Sequence, residues 1–120
     1  MAKQYRALVV DDDEDARDIL SMFLQSRGFV TAMAINGRDA LEKIGPFTPN
    51  IVITDIAMPV MDGWSFLERK WSDMKIARIP VIVVSASVDM VPRPYPYEIV
   101  PKPVDLMLLS GKIDSVLKAA

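Results

Sequence analysis

Three short apolar runs in this 120-residue chain stop at a polar residue able to do chemistry, and a fourth precedes one. Residues 7–10 run into Asp11-Asp12-Asp13, residues 51–54 into Asp55, residues 81–84 into Ser85, and Lys102 follows a weaker run at 98–100. If these runs are parallel strands, all four groups project from one edge of one sheet, where such sheets bind ligands. Carboxylates about 5 Å apart repel by about 3 kcal/mol at an effective dielectric near 20. Three of them together require a cation or shifted pKa values. With oxygen donors alone, Mg²⁺ is the natural ion. A carboxylate beside Mg²⁺, an amine and a hydroxyl is equipped to attack a phosphoryl group, with the cations balancing its oxygens and the hydroxyl donating to one of them.

The elements between these runs carry helical periodicity. Over residues 13–27, Ala16, Ile19, Leu20, Phe23 and Leu24 recur at spacings of three and four, which makes one helix face. Gly28 then stands where a helix terminates. Residues 30–34 read as a second strand, and Asn36 caps a helix through Ile44. Pro46 and Pro49 are expected to frame a loop. A helix is expected over about 64–73, with Phe66, Leu67 and one face of Trp71 inward, and a last helix over 104–117, with Gly111 inside it at a cost of about 1 kcal/mol. Asp62-Gly63 reads as turn chemistry, and Asp13, Glu14 and Asp15 as first-turn acids favoured by the helix dipole. Strands alternating with helices predict a parallel α/β sheet covered on both faces. One interval breaks the pattern. Between the fourth and fifth strands the chain carries Pro92, Pro94 and Pro96, which predict an extended stretch instead of a helix. Tyr95 and Tyr97 in that stretch either dock on the sheet edge or form an exposed strip.

Composition narrows the function classes. Apolar residues make up 51% and charged residues 25%, the profile of a globular chain. Fourteen basic residues against sixteen acidic give a net charge of −2, so direct nucleic-acid binding is not expected. There is no cysteine and no histidine. That excludes thiolate and Ser-His-Asp catalysis, cysteine or histidine zinc sites, and a phosphohistidine on this chain. No apolar run approaches the roughly 20 residues of a membrane span, and the start of the chain does not read as a signal peptide. A single cytoplasmic domain over 1–120, with no membrane insertion, is the expectation.

Four motifs in order resemble the receiver domain of two-component response regulators. They are Val-Val-Asp-Asp-Asp-Glu-Asp-Ala-Arg at 9–17, Ile-Val-Ile-Thr-Asp-Ile-Ala-Met-Pro-Val-Met-Asp-Gly at 51–63, Val-Ile-Val-Val-Ser-Ala at 81–86 and Pro-Lys-Pro at 101–103. The resemblance implies a flavodoxin-like, doubly wound five-stranded parallel sheet of order 2-1-3-4-5, with the fourth helix here shortened or replaced by the Pro-rich segment. It implies that Asp55 is the phosphoacceptor and that Asp12 binds Mg²⁺ directly, Asp11 mainly through water. Asp55 and the backbone carbonyl of Ala57 would complete the metal site. Ser85 would hydrogen-bond the phosphoryl group and Lys102 pair with it, with a cis Lys102-Pro103 bond. The implied partners are a sensor histidine kinase or histidine phosphotransfer protein upstream and a protein target downstream. The only catalysis implied is the chain's own phosphoryl transfer and dephosphorylation.

The chain departs from that pattern in three places. Ser85 replaces the commoner Thr, Ile99 stands where an aromatic switch residue is usual, and the interval from Ser85 to Lys102 is short by several residues. The alternative is a phosphorylation-independent protein-interaction module on the same fold. A third possibility is an enzyme. Asp11-x-Asp13 superficially resembles the first motif of haloacid-dehalogenase-type phosphatases, but Glu14 and Asp15 do not suit that motif.

Overall fold

The computed structural model describes residues 4–86 and 93–119. The elements run β1 (Arg6–Val10), α1 (Glu14–Ser26), β2 (Val30–Ala34), α2 (Gly37–Phe47), β3 (Ile51–Thr54), α3 (Gly63–Trp71), β4 (Val81–Ser85), β5 (Glu98–Pro101) and α4 (Leu106–Ala119). All strand pairs are parallel, in the order β2-β1-β3-β4-β5 expected from the sequence. Alternation along each strand divides the core in two. Ala7, Val9, Ile53, Ile82 and Val100 pack with Leu20 and Leu24 of α1 and Leu109 and Ile113 of α4. On the other face Leu8, Val10, Val52 and Val83 meet Ala40 and Ile44 of α2 and Phe66 and Leu67 of α3. Both faces are covered, which is why the central strands β1, β3 and β4 are nearly continuous buried runs.

Side-chain caps set the helix starts. Asp13, Asn36 and Asp62 accept from the backbone N–H groups of Asp15, Asp39 and Ser65 at the heads of α1, α2 and α3. Each satisfies a donor that has no partner within its helix. Asp62-Gly63 is therefore a helix cap. The last helix begins at Leu106, later than the expected 104, because Asp105 caps it by accepting from Met107 and Leu108. At the end of α1, Gly28 adopts φ +91°, a conformation costly for any residue with a Cβ.

Two expectations need correction. Pro46 lies inside the last turn of α2 and not in a loop. It forfeits only the bond to the carbonyl of residue 42, and Glu42 is exposed, so water can take that acceptor. The helix then closes at Thr48, whose N–H reaches Ile44 at 3.1 Å in a left-handed conformation. Trp71 is less covered than expected, at 42% exposure, with its ring 6.1 Å from that of Tyr95.

Among the described residues no helix stands between β4 and β5, in line with the prolines. The part of that expectation on residues 87–92 lies outside the described residues. The open choice for the tyrosines resolves toward docking. Tyr95 is 7% exposed within the α2–α3 face of the core, and Tyr97 packs edge-on against Trp64 at 5.3 Å. Arg93 lies over the other side of this corner, 4.3 Å from the Trp64 ring.

Candidate functional site

Strand register brings the predicted residues together. Val10 and Thr54 are partners in adjacent strands, so Asp11 and Asp55 leave the sheet side by side. The Asp55 N–H donates to the Val10 carbonyl at 2.9 Å and the Asp11 N–H to the Ala34 carbonyl at 3.1 Å. Ser85 pairs with Pro101, and the Lys102 N–H donates to the Ser85 carbonyl at 2.9 Å, so β5 delivers Lys102 to the same edge. The Lys102-Pro103 peptide is cis.

The Lys102 ammonium bridges both carboxylates. Its Nζ lies 3.0 Å from Oδ2 of Asp55 and 3.3 Å from Oδ2 of Asp11. Asp11 is 1% exposed and Asp55 9%, so neither charge is screened well by water. Their remaining oxygens are partly satisfied, since Oδ1 of Asp11 accepts from the Asp13 N–H at 2.9 Å and Oδ1 of Asp55 from the Ile56 N–H at 2.7 Å. Burial pushes the Asp11 carboxyl above its ordinary pKa, and the charge of Asp55 adds to that, against the pull of the Asp13 amide and Lys102. Burial draws Lys102 down. The hydrogen bond and charge of Asp55, then the charge of Asp11, outweigh it and hold the ammonium above its usual value.

Asp12 is exposed, yet one carboxylate oxygen from each of Asp11, Asp12 and Asp55 lies within 4.8 Å of the others. The donors are all hard oxygens, the set that suits Mg²⁺. Ser85 is buried at the end of β4. Ala57 is exposed on the loop after β3, two residues beyond Asp55. A cavity of about 310 Å³ opens beside Lys102, between Ile19 and Leu20 of α1 and Leu106 of α4.

The loop from β3 to α3 is tied down at several points. Gly63 donates to the Ile56 carbonyl at 2.8 Å, and Gly37, at the head of α2, donates to the Met61 carbonyl at 2.9 Å. Between these anchors Val60 has φ +70°, spanned by a Met61 N–H bond to the Pro59 carbonyl at 2.8 Å. A β-branched residue there is strained.

Sequence reasoning did not single out Arg17, whose Nη1 donates to the Asp11 carbonyl at 2.9 Å. The available signal was its position one helical turn past the Asp13 cap. It also missed Lys70, a lysine only 4% exposed, whose Nζ donates to the Ala77 carbonyl at 2.9 Å. Burial lowers its pKa to about 8.

Comparison with known proteins places the chain in a family. Residues 7–113 match the response regulator receiver domain. The "Regulator of RpoS" of Escherichia coli is 42% identical over 85 residues, which cover 69% of this chain and 24% of that protein. "Response regulator Rre1" of Synechocystis is 33% identical over 87 residues, covering 72% of this chain and 38% of that protein. The chain thus spans well under half of these relatives. Among solved structures, a CheY-like response regulator receiver domain protein of Methanospirillum hungatei superposes with a TM-score of 0.87 at 24% identity, over 98% of this chain and 96% of that one. The chemotaxis response regulator CheY4 of Vibrio cholerae gives 0.84 at 24% identity, over 95% and 99%. At these identities the structural likeness is one of fold.

Proposed function

Given that the chain belongs to the response regulator receiver family, we propose that it is a Mg²⁺-dependent phosphoacceptor switch with Asp55 as the acceptor. The observation that carries this reading is the Lys102 ammonium held between Asp55 and Asp11, with the Asp12 carboxylate alongside. The donor is a phosphohistidine of a sensor kinase or histidine phosphotransfer protein, since this chain has no histidine of its own. The Asp55 carboxylate attacks phosphorus, the P–N bond to the donor imidazole breaks, and the imidazole leaves. Lys102 passes from the carboxylate to an oxygen of the phosphoryl group, and the Ser85 hydroxyl donates to another. Asp11, Asp12, Asp55 and the Ala57 carbonyl would hold Mg²⁺. When bound, it supplies the second positive charge that the phosphoryl oxygens need. Hydrolysis of the acyl phosphate returns Asp55, and a downstream protein target reads the phosphorylated state. No helix in the described residues is long and apolar enough to cross a membrane.

Intact-mass measurement after incubation with Mg²⁺ and acetyl phosphate tests the acceptor. One phosphoryl group is expected, absent in Asp55→Asn and without metal. If neither acetyl phosphate nor a histidine kinase labels the chain, the phosphorylation-independent interaction module takes its place.

The metal reading has its own test. Mg²⁺ at ten to one hundred times its dissociation constant should add about 1–3 kcal/mol of stability by mass action. Asp12→Asn should remove that gain while leaving the metal-free protein unchanged or slightly more stable, because exposed Asp12 adds only repulsion to the cluster. Thermal melts with and without Mg²⁺ decide it, and a melting temperature indifferent to millimolar Mg²⁺ counts against the site.

A further inference from the structure

A groove of about 700 Å³ opens at the far end of the sheet from Asp55. Trp71 at the end of α3 and Ile79 and Pro80 before β4 line one side, with Pro96 and Tyr97 before β5 and Val116 of α4 on the other. Its walls are apolar, yet its surroundings are basic. Residues 68–78 carry Arg69, Lys70, Lys75 and Arg78 against Glu68 and Asp73, a local excess of positive charge in a chain whose net charge is −2. Arg78 lines the groove and, among the described residues, has no ion-pair partner. Lys70 lies behind the wall with its ammonium on the carbonyl of Ala77, another lining residue. Among the described lining residues the one acid, Glu98, is neutralised by Lys112 at 3.3 Å. The field in the groove is therefore positive, and an acidic apolar segment complements it.

Strand addition is a poor way to fill this groove. Pro96 and Pro101 bracket the free edge of β5, and a proline offers no N–H to an incoming strand. A helix carries its own backbone hydrogen bonds and needs only apolar walls. We propose that this groove receives an amphipathic helix of a partner protein, its apolar stripe against Trp71, Ile79 and Val116 and its acidic face toward Arg78. Nothing in this surface depends on the chemistry at Asp55.

The probe is a synthetic helical peptide with leucines at i, i+3, i+4 and i+7 and glutamates elsewhere, paired with a version bearing lysines for the glutamates. Both are titrated into the ¹⁵N-labelled full chain at low salt. The acidic peptide should shift the amides of residues 77–81, Tyr97 and Val116 with micromolar affinity, and the lysine peptide should not. Arg78→Glu should weaken binding at least tenfold. Ser115→Trp, at an exposed lining position of α4, should do the same by filling the groove. The proposal is overturned by absence of shifts at these residues, by equal shifts from both peptides, or by affinity indifferent to both variants. Concentration-dependent shifts of the same amides without peptide would also overturn it, by making a second copy of the chain the occupant.

Discussion

Gly63→Ala is expected to destabilise the protein by about 3 kcal/mol and to depress phosphoryl uptake at Asp55 in the molecules that still fold. A Cβ at position 63 would run into the Asp55 carbonyl and come within 2.8 Å of the Ile56 Cα. Both obstacles are backbone, and the Gly63 N–H is itself bonded to the Ile56 carbonyl, so α3 cannot simply slide away. Relief requires moving the segment that carries Asp55, and overpacking of this kind costs roughly 1–3 kcal/mol or more. Gly111→Ala is the internal control. Position 111 has no neighbour within 4 Å of the added Cβ and lies inside α4, so alanine there should stabilise by about 1 kcal/mol. Denaturant melts of the two variants should move in opposite directions. A Gly63→Ala variant as stable as the parent would show that the loop yields freely and that its anchoring does not position Asp55.

The second large effect belongs to Lys70. Its pKa of about 8 in the folded chain, against 10.5 for an ordinary lysine, means that folding penalises its charged form. The unfolded chain binds more protons between these two values, so stability should rise as the pH is raised from about 8 to 10.5. Below pH 8 the full penalty is present, about 3 kcal/mol at neutral pH. Lys102 has the opposite sign. Its folded pKa is raised, so its contribution persists up to about 10.5 and is lost only above that. Lys70→Met should therefore stabilise the protein at pH 7 by about 2 kcal/mol, after the loss of its hydrogen bond to Ala77 is counted at about 1 kcal/mol. The same variant should flatten the rise between pH 8 and 10.5. Urea titrations across that range measure both, and an unchanged slope in the variant would assign the pH dependence elsewhere.

These two residues also mark where sequence reading succeeded and where it stopped. Asp11, Asp55, Ser85 and Lys102 were legible because each ends or follows an apolar run, and parallel register then forces them to one edge. The layers were legible for the same reason, from periods of two and of three to four. Asp105 escaped because Val104 and Leu106 flank it with apolar residues, and only the direction of its side chain reveals a cap. Pro46 misled because proline was weighed without asking whether the lost acceptor faced water. Lys70 was recoverable. It falls at helical spacing after Gly63, Phe66 and Leu67, all buried on the inner face of α3, and a lysine on such a stripe must bury its amine or snorkel it to a carbonyl. Whether Tyr95 docked could not be read from its own segment, because the ring it meets outside that segment, Trp71, comes from the end of α3.

The bridge from Lys102 to Asp11 spans 91 residues of chain, and that to Asp55 spans 47. A chain emerging from the ribosome therefore holds both carboxylates well before it holds the cation that reconciles them. Contacts of such long range form late and slowly. Until β5 arrives, pairing of β1 with β3 sets the Asp11 and Asp55 carboxylates side by side without Lys102, and only solvent or a bound cation offsets their repulsion. Docking of β5 brings the Lys102 ammonium between the two carboxylates. A nascent chain halted before residue 102 would hold the three carboxylates without Lys102, so the phosphoryl transfer proposed above would be among the last properties acquired in synthesis.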